Sequence, residues 1–147
     1  MAFVTATAGV QVLIKSQPDT FWTKIQDSAN SFPQAAPSLY TSILISGTGC
    51  AKSNSQNIKT SSELITENSL GKLAYTVTAG DILQKYDVNN FQAVIIHPNS
   101  EKWVGWTWTY NYLPENKARA LQLDAEIAVI AVKTLTELDN YIQNKST

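Results

Sequence analysis
Histidine, cysteine and methionine each occur once in the 147 residues. With Cys50 alone no internal disulfide can form, which fits a reducing compartment and makes cytoplasmic residence the expectation. His97 and Cys50 are far apart in the chain and cannot by themselves fill a structural zinc site, so neither a metal nor another cofactor is expected. Charge is also scarce. Asp, Glu, Lys and Arg make up 16% of the chain, the net charge is −1, and no basic run or stripe offers a footprint for nucleic acid. No apolar run approaches the ~20 residues of a membrane span. The start, Met1-Ala2-Phe3-Val4-Thr5-Ala6, has neither the charged head nor the long apolar core of a secretory signal. The Asn144-Lys145-Ser146 sequon therefore carries no weight. A Gly-x-Ser-x-Gly elbow is missing, which removes the familiar hydrolase signature. Gly47-Thr48-Gly49 lacks the third glycine and the Lys-Ser/Thr of a phosphate loop, and reads as a hairpin turn.

What the chain does have is aromatics, at 10%, and clear periodicity. Disorder is excluded by that composition, and the length fits one domain over residues 1–147 with a sizeable core. Val10, Val12 and Ile14 alternate with Gln11, Leu13 and Lys15, predicting a first strand with one face buried that begins as early as Phe3. Ser16-Gln17-Pro18-Asp19 opens a short helix, with Ser16 as its expected cap and Phe21, Trp22 and Ile25 as its apolar side. Pro33 and Pro37 limit a second short helix to about Ser28 to Ala36. From Ser38 to Val104 the period is two. Strands are expected at Tyr40–Ser46, Cys50–Ile58, Ser61–Glu67, around Leu73, Tyr75 and Val77, at Ile82–Tyr86 and at Phe91–His97. Asn68-Ser69-Leu70-Gly71 supplies a hairpin turn and Asn89-Asn90 a bulge. Trp103 to Tyr112 is the last strand.

The final segment, about Asn116 to Gln143, has no Gly or Pro and reads as one helix of roughly 40 Å. Leu121, Ala125, Ala128, Val132, Leu135 and Ile142 are placed on one face. Ile127 to Val132 is apolar nearly all round, so wrapping on every side is expected. Ala125, Ala128 and Ala131 are small enough to leave space against a sheet. One strand, two short helices, about six consecutive strands and a long helix define an α+β domain, with the helix packed on one face of an antiparallel sheet.

Four stretches resemble the major latex protein branch of the Bet v 1 / PR-10 superfamily. They are Val10 to Ser16 followed by Asp19-Thr20-Phe21-Trp22; Ala79-Gly80-Asp81-Ile82-Leu83-Gln84-Lys85-Tyr86; Trp106-Thr107-Trp108-Thr109-Tyr110-Asn111-Tyr112; and Leu138-Asp139. They follow the family's order over nearly the whole chain. The resemblance implies a helix-grip fold, in which a seven-stranded antiparallel sheet holds the C-terminal helix around a large apolar cavity. It also implies lipophilic or aromatic small-molecule ligands and a plant source.

Trp106, Trp108 and Tyr110 lie two apart and share a strand face. They can be plain core, or they can wall a ligand site with Leu73, Tyr75 and Val77. The full candidate lining is Phe21, Trp22, Tyr40, Leu73, Tyr75, Val77, Phe91, Trp106, Trp108, Tyr110, Ala128, Val132 and Leu135. Binding of a hydrophobic small molecule, a specialised plant metabolite, is the first functional expectation. The alternative is a cofactor-free enzyme that cyclises or isomerises a neutral terpenoid, or carries out an alkaloid step. Tyr75, Tyr110 and His97 would be its candidate catalytic groups, although His97 sits at a turn where solvent exposure is expected. No lysine occupies a candidate inner position, which disfavours imine chemistry. Asp81 reads as a turn residue, Glu126 as exposed, and Asp124 is left open. Neither nucleic acid nor membrane is an expected partner, and the chain is expected to be a monomer or a weak dimer through a sheet edge or the Trp103 region.

Overall fold
A computed structural model describes residues 2–36, 40–46, 48–53 and 60–145, with backbone alone at Ala29, 40–46, 48–53, 60–63 and Lys145. The chain runs β1 (Val4–Leu13), α1 (Pro18–Gln26), α2 (Ser28–Ala35), β2 (Tyr40–Ser46), β3 (Thr48–Ser53), β4 (Thr60–Asn68) and β5 (Lys72–Gly80). It continues through α3 (Asp81–Tyr86), β6 (Val88–Ile96), β7 (Trp103–Tyr112), a 3-10 turn at Pro114–Asn116, and α4 (Lys117–Lys145). All seven strands form one antiparallel sheet in the order β1-β7-β6-β5-β4-β3-β2. The expected α+β arrangement, an antiparallel sheet with a long C-terminal helix, is therefore present. The expected turn at 47–49 and the end of the Cys50–Ile58 strand fall partly outside the described residues.

Alternation fixes which sheet face is inner. Trp106, Trp108 and Tyr110 are buried, while Thr107 is exposed and Thr109 half-buried between them. Across the ladder, Val10, Ala8 and Ala6 of β1 lie opposite those three. Ala93 of β6 lies between Trp108 and Tyr75 of β5. These residues share the side on which α4 packs against β1 and β7, with α1 and α2 beside it. Trp22 and Asn68 tie α1 to the β4–β5 turn. The Trp22 Nε1–H donates to the Ser69 carbonyl at 2.8 Å, and the Asn68 amide donates to the Gln26 carbonyl at 3.1 Å.

Three expectations need correction. Ile82 to Tyr86 belongs to helix α3 and not to the sheet. Gly80, at φ 118°, turns the chain as few other residues can. Ile82 and Tyr86 then bury one helical turn apart, and Asp87 in the left-handed region ends the helix. Next, α4 presents a different face. Leu123, Ile127, Ala131, Leu135, Leu138 and Ile142 are buried, whereas Leu121 is 60%, Val129 53% and Val132 40% exposed. Ala125 is exposed and Ala131 fully buried, so the three alanines do not make one small-residue side. A segment apolar nearly all round has no periodicity to choose its rotation, and α4 is covered on one side only. Finally, Ser16 does not cap α1; Gln17 holds that position and makes no side-chain cap bond.

Ser16 has another partner. Asp139, buried on α4, accepts the Lys15 N–H at 2.9 Å through Oδ2, and through Oδ1 the Ser16 N–H at 2.9 Å and the Ser16 hydroxyl at 2.5 Å. This carboxylate closes the β1–α1 junction onto the helix. Replacing it strands buried donors, which cost more than the bonds themselves contribute. Asp139→Ala should lower stability by about 3 kcal/mol, and Ser16→Ala by about 1 kcal/mol. Urea unfolding followed by circular dichroism checks both values and their order.

Candidate functional site
The inner face of β5, β6 and β7 carries most of the candidate lining. Leu73, Val77, Phe91, Trp106, Trp108 and Tyr110 are buried, as are Phe21, Trp22 and Leu135. Ala128 is half-buried and packs against this core. Val132 is a correction: it faces outward from α4. Tyr40 lies in β2, and its side chain is outside the described residues.

The three candidate catalytic groups are not brought together. Tyr110 stacks on Phe91 with ring centres 5.8 Å apart and planes 10° from parallel. His97 follows the other end of β6, roughly 20 Å from Phe91 at the rise of a strand. Tyr75 lies between them, opposite Ala93. His97 is also less exposed than its turn position suggests, with 24% of its side chain accessible. Its ring sits 5.4 Å from that of Trp22, and Nδ1 lies 2.8 Å from the Pro98 carbonyl. Nε2 is 3.3 Å from Asp19 Oδ1, within ion-pair reach but without hydrogen-bond alignment.

Tyr110 is committed to holding α4. Its hydroxyl is fully buried, 2.9 Å from Asp124 Oδ1 and 3.0 Å from the Ala120 carbonyl, so its one proton faces two acceptors. The Trp108 Nε1–H donates to the same carboxylate oxygen at 3.0 Å. Asp124, left open by sequence reading, is thus the acceptor that ties β7 to the start of α4. Asp124 and Asp139 were both missed as organising residues. Their available signal was position, since each directly follows a residue of the buried line, Leu123 and Leu138. Asp81, expected at a turn, begins α3 and lies 4.0 Å from Lys85.

The inner face is not covered evenly. Tyr75 is half-buried although Leu73 and Val77 on either side are closed off, and Ile65, its partner across β4, is 37% exposed. The opposite sheet face carries a polar hollow of about 210 Å³ along Thr76, Gln92, Thr107 and Thr109. A wider open cleft of about 560 Å³ separates α3 from α4, lined by Lys85, Tyr86, Gln122, Ala125, Glu126 and Val129.

This arrangement defines a class: one antiparallel sheet closed by a long terminal helix, with two short helices after the first strand, the Bet v 1-like fold. No protein-family model matches the sequence. MLP-like protein 423 of Arabidopsis thaliana is 26% identical over 145 residues, which span 90% of this chain and 91% of that protein. Among solved structures, a point mutant of norcoclaurine synthase from Thalictrum flavum in complex with a transition-state analogue superposes with a TM-score of 0.78. It is 13% identical over 100% of this chain and 99% of that one. Major latex-like protein 151 from Panax ginseng gives 0.74 at 14% identity, over 93% and 97% of the two chains. The chain is thus similar in sequence to an MLP-like protein and shares the fold of the norcoclaurine synthase and major latex-like structures, in line with the four resembling stretches. Among the described residues no helix is long and apolar enough to cross a membrane.

Burial, then the hydrogen bond and the charge of Asp124, hold the Tyr110 hydroxyl well above the ordinary phenol range. A group whose folded-state value is raised stabilises the fold fully below its unfolded value, about pH 10 for tyrosine, and loses that contribution as pH climbs toward the folded value. Stability should therefore fall above about pH 10. Tyr110→Phe should cost about 1–3 kcal/mol at pH 8 and flatten the alkaline decline. Urea midpoints between pH 8 and 11.5 test both parts, and phenolate absorbance at 295 nm shows whether one tyrosine ionises only on unfolding.

Proposed function
We propose that this protein binds a neutral, hydrophobic small molecule between the sheet and α4, as a cytosolic carrier or sink. The observation that carries the reading is the Tyr75–Ile65 pair. Both residues lie on the inner face, next to sealed core, and both keep accessible surface where α4 packs to the β1–β7 side. Apolar surface that faces an interior and is left uncovered is what a small-molecule site offers, with a few polar groups for orientation. The likeness to major latex-like structures supports the same reading at the level of fold.

A catalytic version in the same space, a cyclase or isomerase of a neutral terpenoid, finds little support in the placement of its groups. General acid–base work needs a positioned group whose pKa lies near working pH. Tyr110 is far above it and already bonded, and His97 is at the far end of β6.

Native mass spectrometry after incubation with a plant metabolite extract tests the proposal. The expected result is one intact neutral metabolite retained per chain. Such a ligand at about 100 times its Kd should raise stability by about 2.7 kcal/mol, read as a shift of the urea midpoint. Release of an isomerised product would favour the catalytic version, and the absence of any adduct would count against both.

A further inference from the structure
Three indoles are buried in this fold, and two have partners. Trp22 donates to the Ser69 carbonyl and Trp108 to Asp124. The third, Trp106, is 5% exposed, and its Nε1–H is buried without a hydrogen-bond partner among the described residues. It lies on the inner face between Val10 and Ile95, two residues from Trp108, with its ring 6.3 Å from that of Phe32 on α2. A buried donor left unpaired bears its full desolvation penalty with nothing returned, and a phenylalanine there would avoid it. Buried polar groups of this kind are few, and a group held ready for a ligand is one physical account of them.

We infer that the Trp106 indole N–H is the polar anchor of the interior site, and that its ligand is a neutral apolar molecule carrying a hydrogen-bond acceptor oxygen, above all a carbonyl. The inference rests on the binding function proposed above and narrows it. The anchor is a donor and uncharged, so it selects an acceptor and gives no advantage to an ammonium group or to a plain hydrocarbon. Of the polar groups beside it on β7, Tyr110 and Trp108 spend their protons on α4. Trp106 would thus orient the ligand while the apolar inner face supplies most of the affinity.

The test uses matched pairs of probes that differ in one carbonyl: cyclohexanone with cyclohexane, camphor with camphane, and 5α-androstan-3-one with 5α-androstane. Kd is measured by calorimetry for the native protein and for Trp106→Phe. For the pair that fits, the variant should bind the ketone five- to tenfold more weakly and the hydrocarbon within twofold of the native value. Equal changes for both members would overturn the anchor while leaving the binding function standing. Failure of every probe to bind would overturn both. A second reading does not need the variant to fold. In the ¹⁵N-labelled native protein, the assigned Trp106 indole N–H resonance should move downfield with the ketone and not with the hydrocarbon. A resonance that stays put under saturating ketone would overturn the anchor.

Discussion
The carboxylate of Asp139 is the constraint on which the placement of everything else depends. Burying a charge is expensive unless donors surround it. Here two backbone amides and a hydroxyl from the β1–α1 junction do so. Roughly 22 Å back along α4, Asp124 does the same for Trp108 and Tyr110 of β7. The helix is thus tacked to the sheet at two points by acids on nearly one side. Between the tacks lies Ile127 to Val132, whose apolar side chains would pack about equally well at several rotations. Polar bonds are directional and hydrophobic burial is not, so the acids choose the rotation and the apolar residues follow it. That is why Leu123, Ile127 and Ala131 face in while Val129 and Val132 face out.

The same division explains what could be read from the chain alone. The last strand, the β4–β5 hairpin and the extent of α4 were legible because alternation, turn residues and the absence of Gly and Pro are local signals. The face of α4 was not, because it is set by partners far away in sequence: Ser16 for Asp139, and Tyr110 for Asp124. Ser16 shows the point most sharply. Its position before Pro18 gives it every local mark of a helix cap, yet its hydroxyl goes to a carboxylate more than a hundred residues later. The missed helix α3 has a different cause. Ile82 and Tyr86 are four apart, which suits a period of two as well as a helical turn. Only the positive φ of Gly80 separates the readings, and sequence does not display it. Of the candidate site, the shared face of Trp106, Trp108 and Tyr110 was legible, and the division of labour within it was not.

That division bears on whether the proposed site would bind a ligand or transform it. Among the described residues facing the helix from β5, β6 and β7, the polar hydrogens of Trp108 and Tyr110 already serve Asp124. For Asp124 to act as a base it would have to give up the bonds that hold the helix, so catalysis there would compete with stability. For Tyr110 to act as an acid it would have to lose a proton that burial and a neighbouring carboxylate both retain. A protein that spends its inner polar groups on holding its own helix has few left for moving protons. What remains at Trp106 is a donor that does not titrate. An indole can orient a carbonyl and weakly polarise it, but it cannot exchange a proton with it near neutral pH. On the binding function proposed above, such a donor suits holding a neutral guest more than converting it.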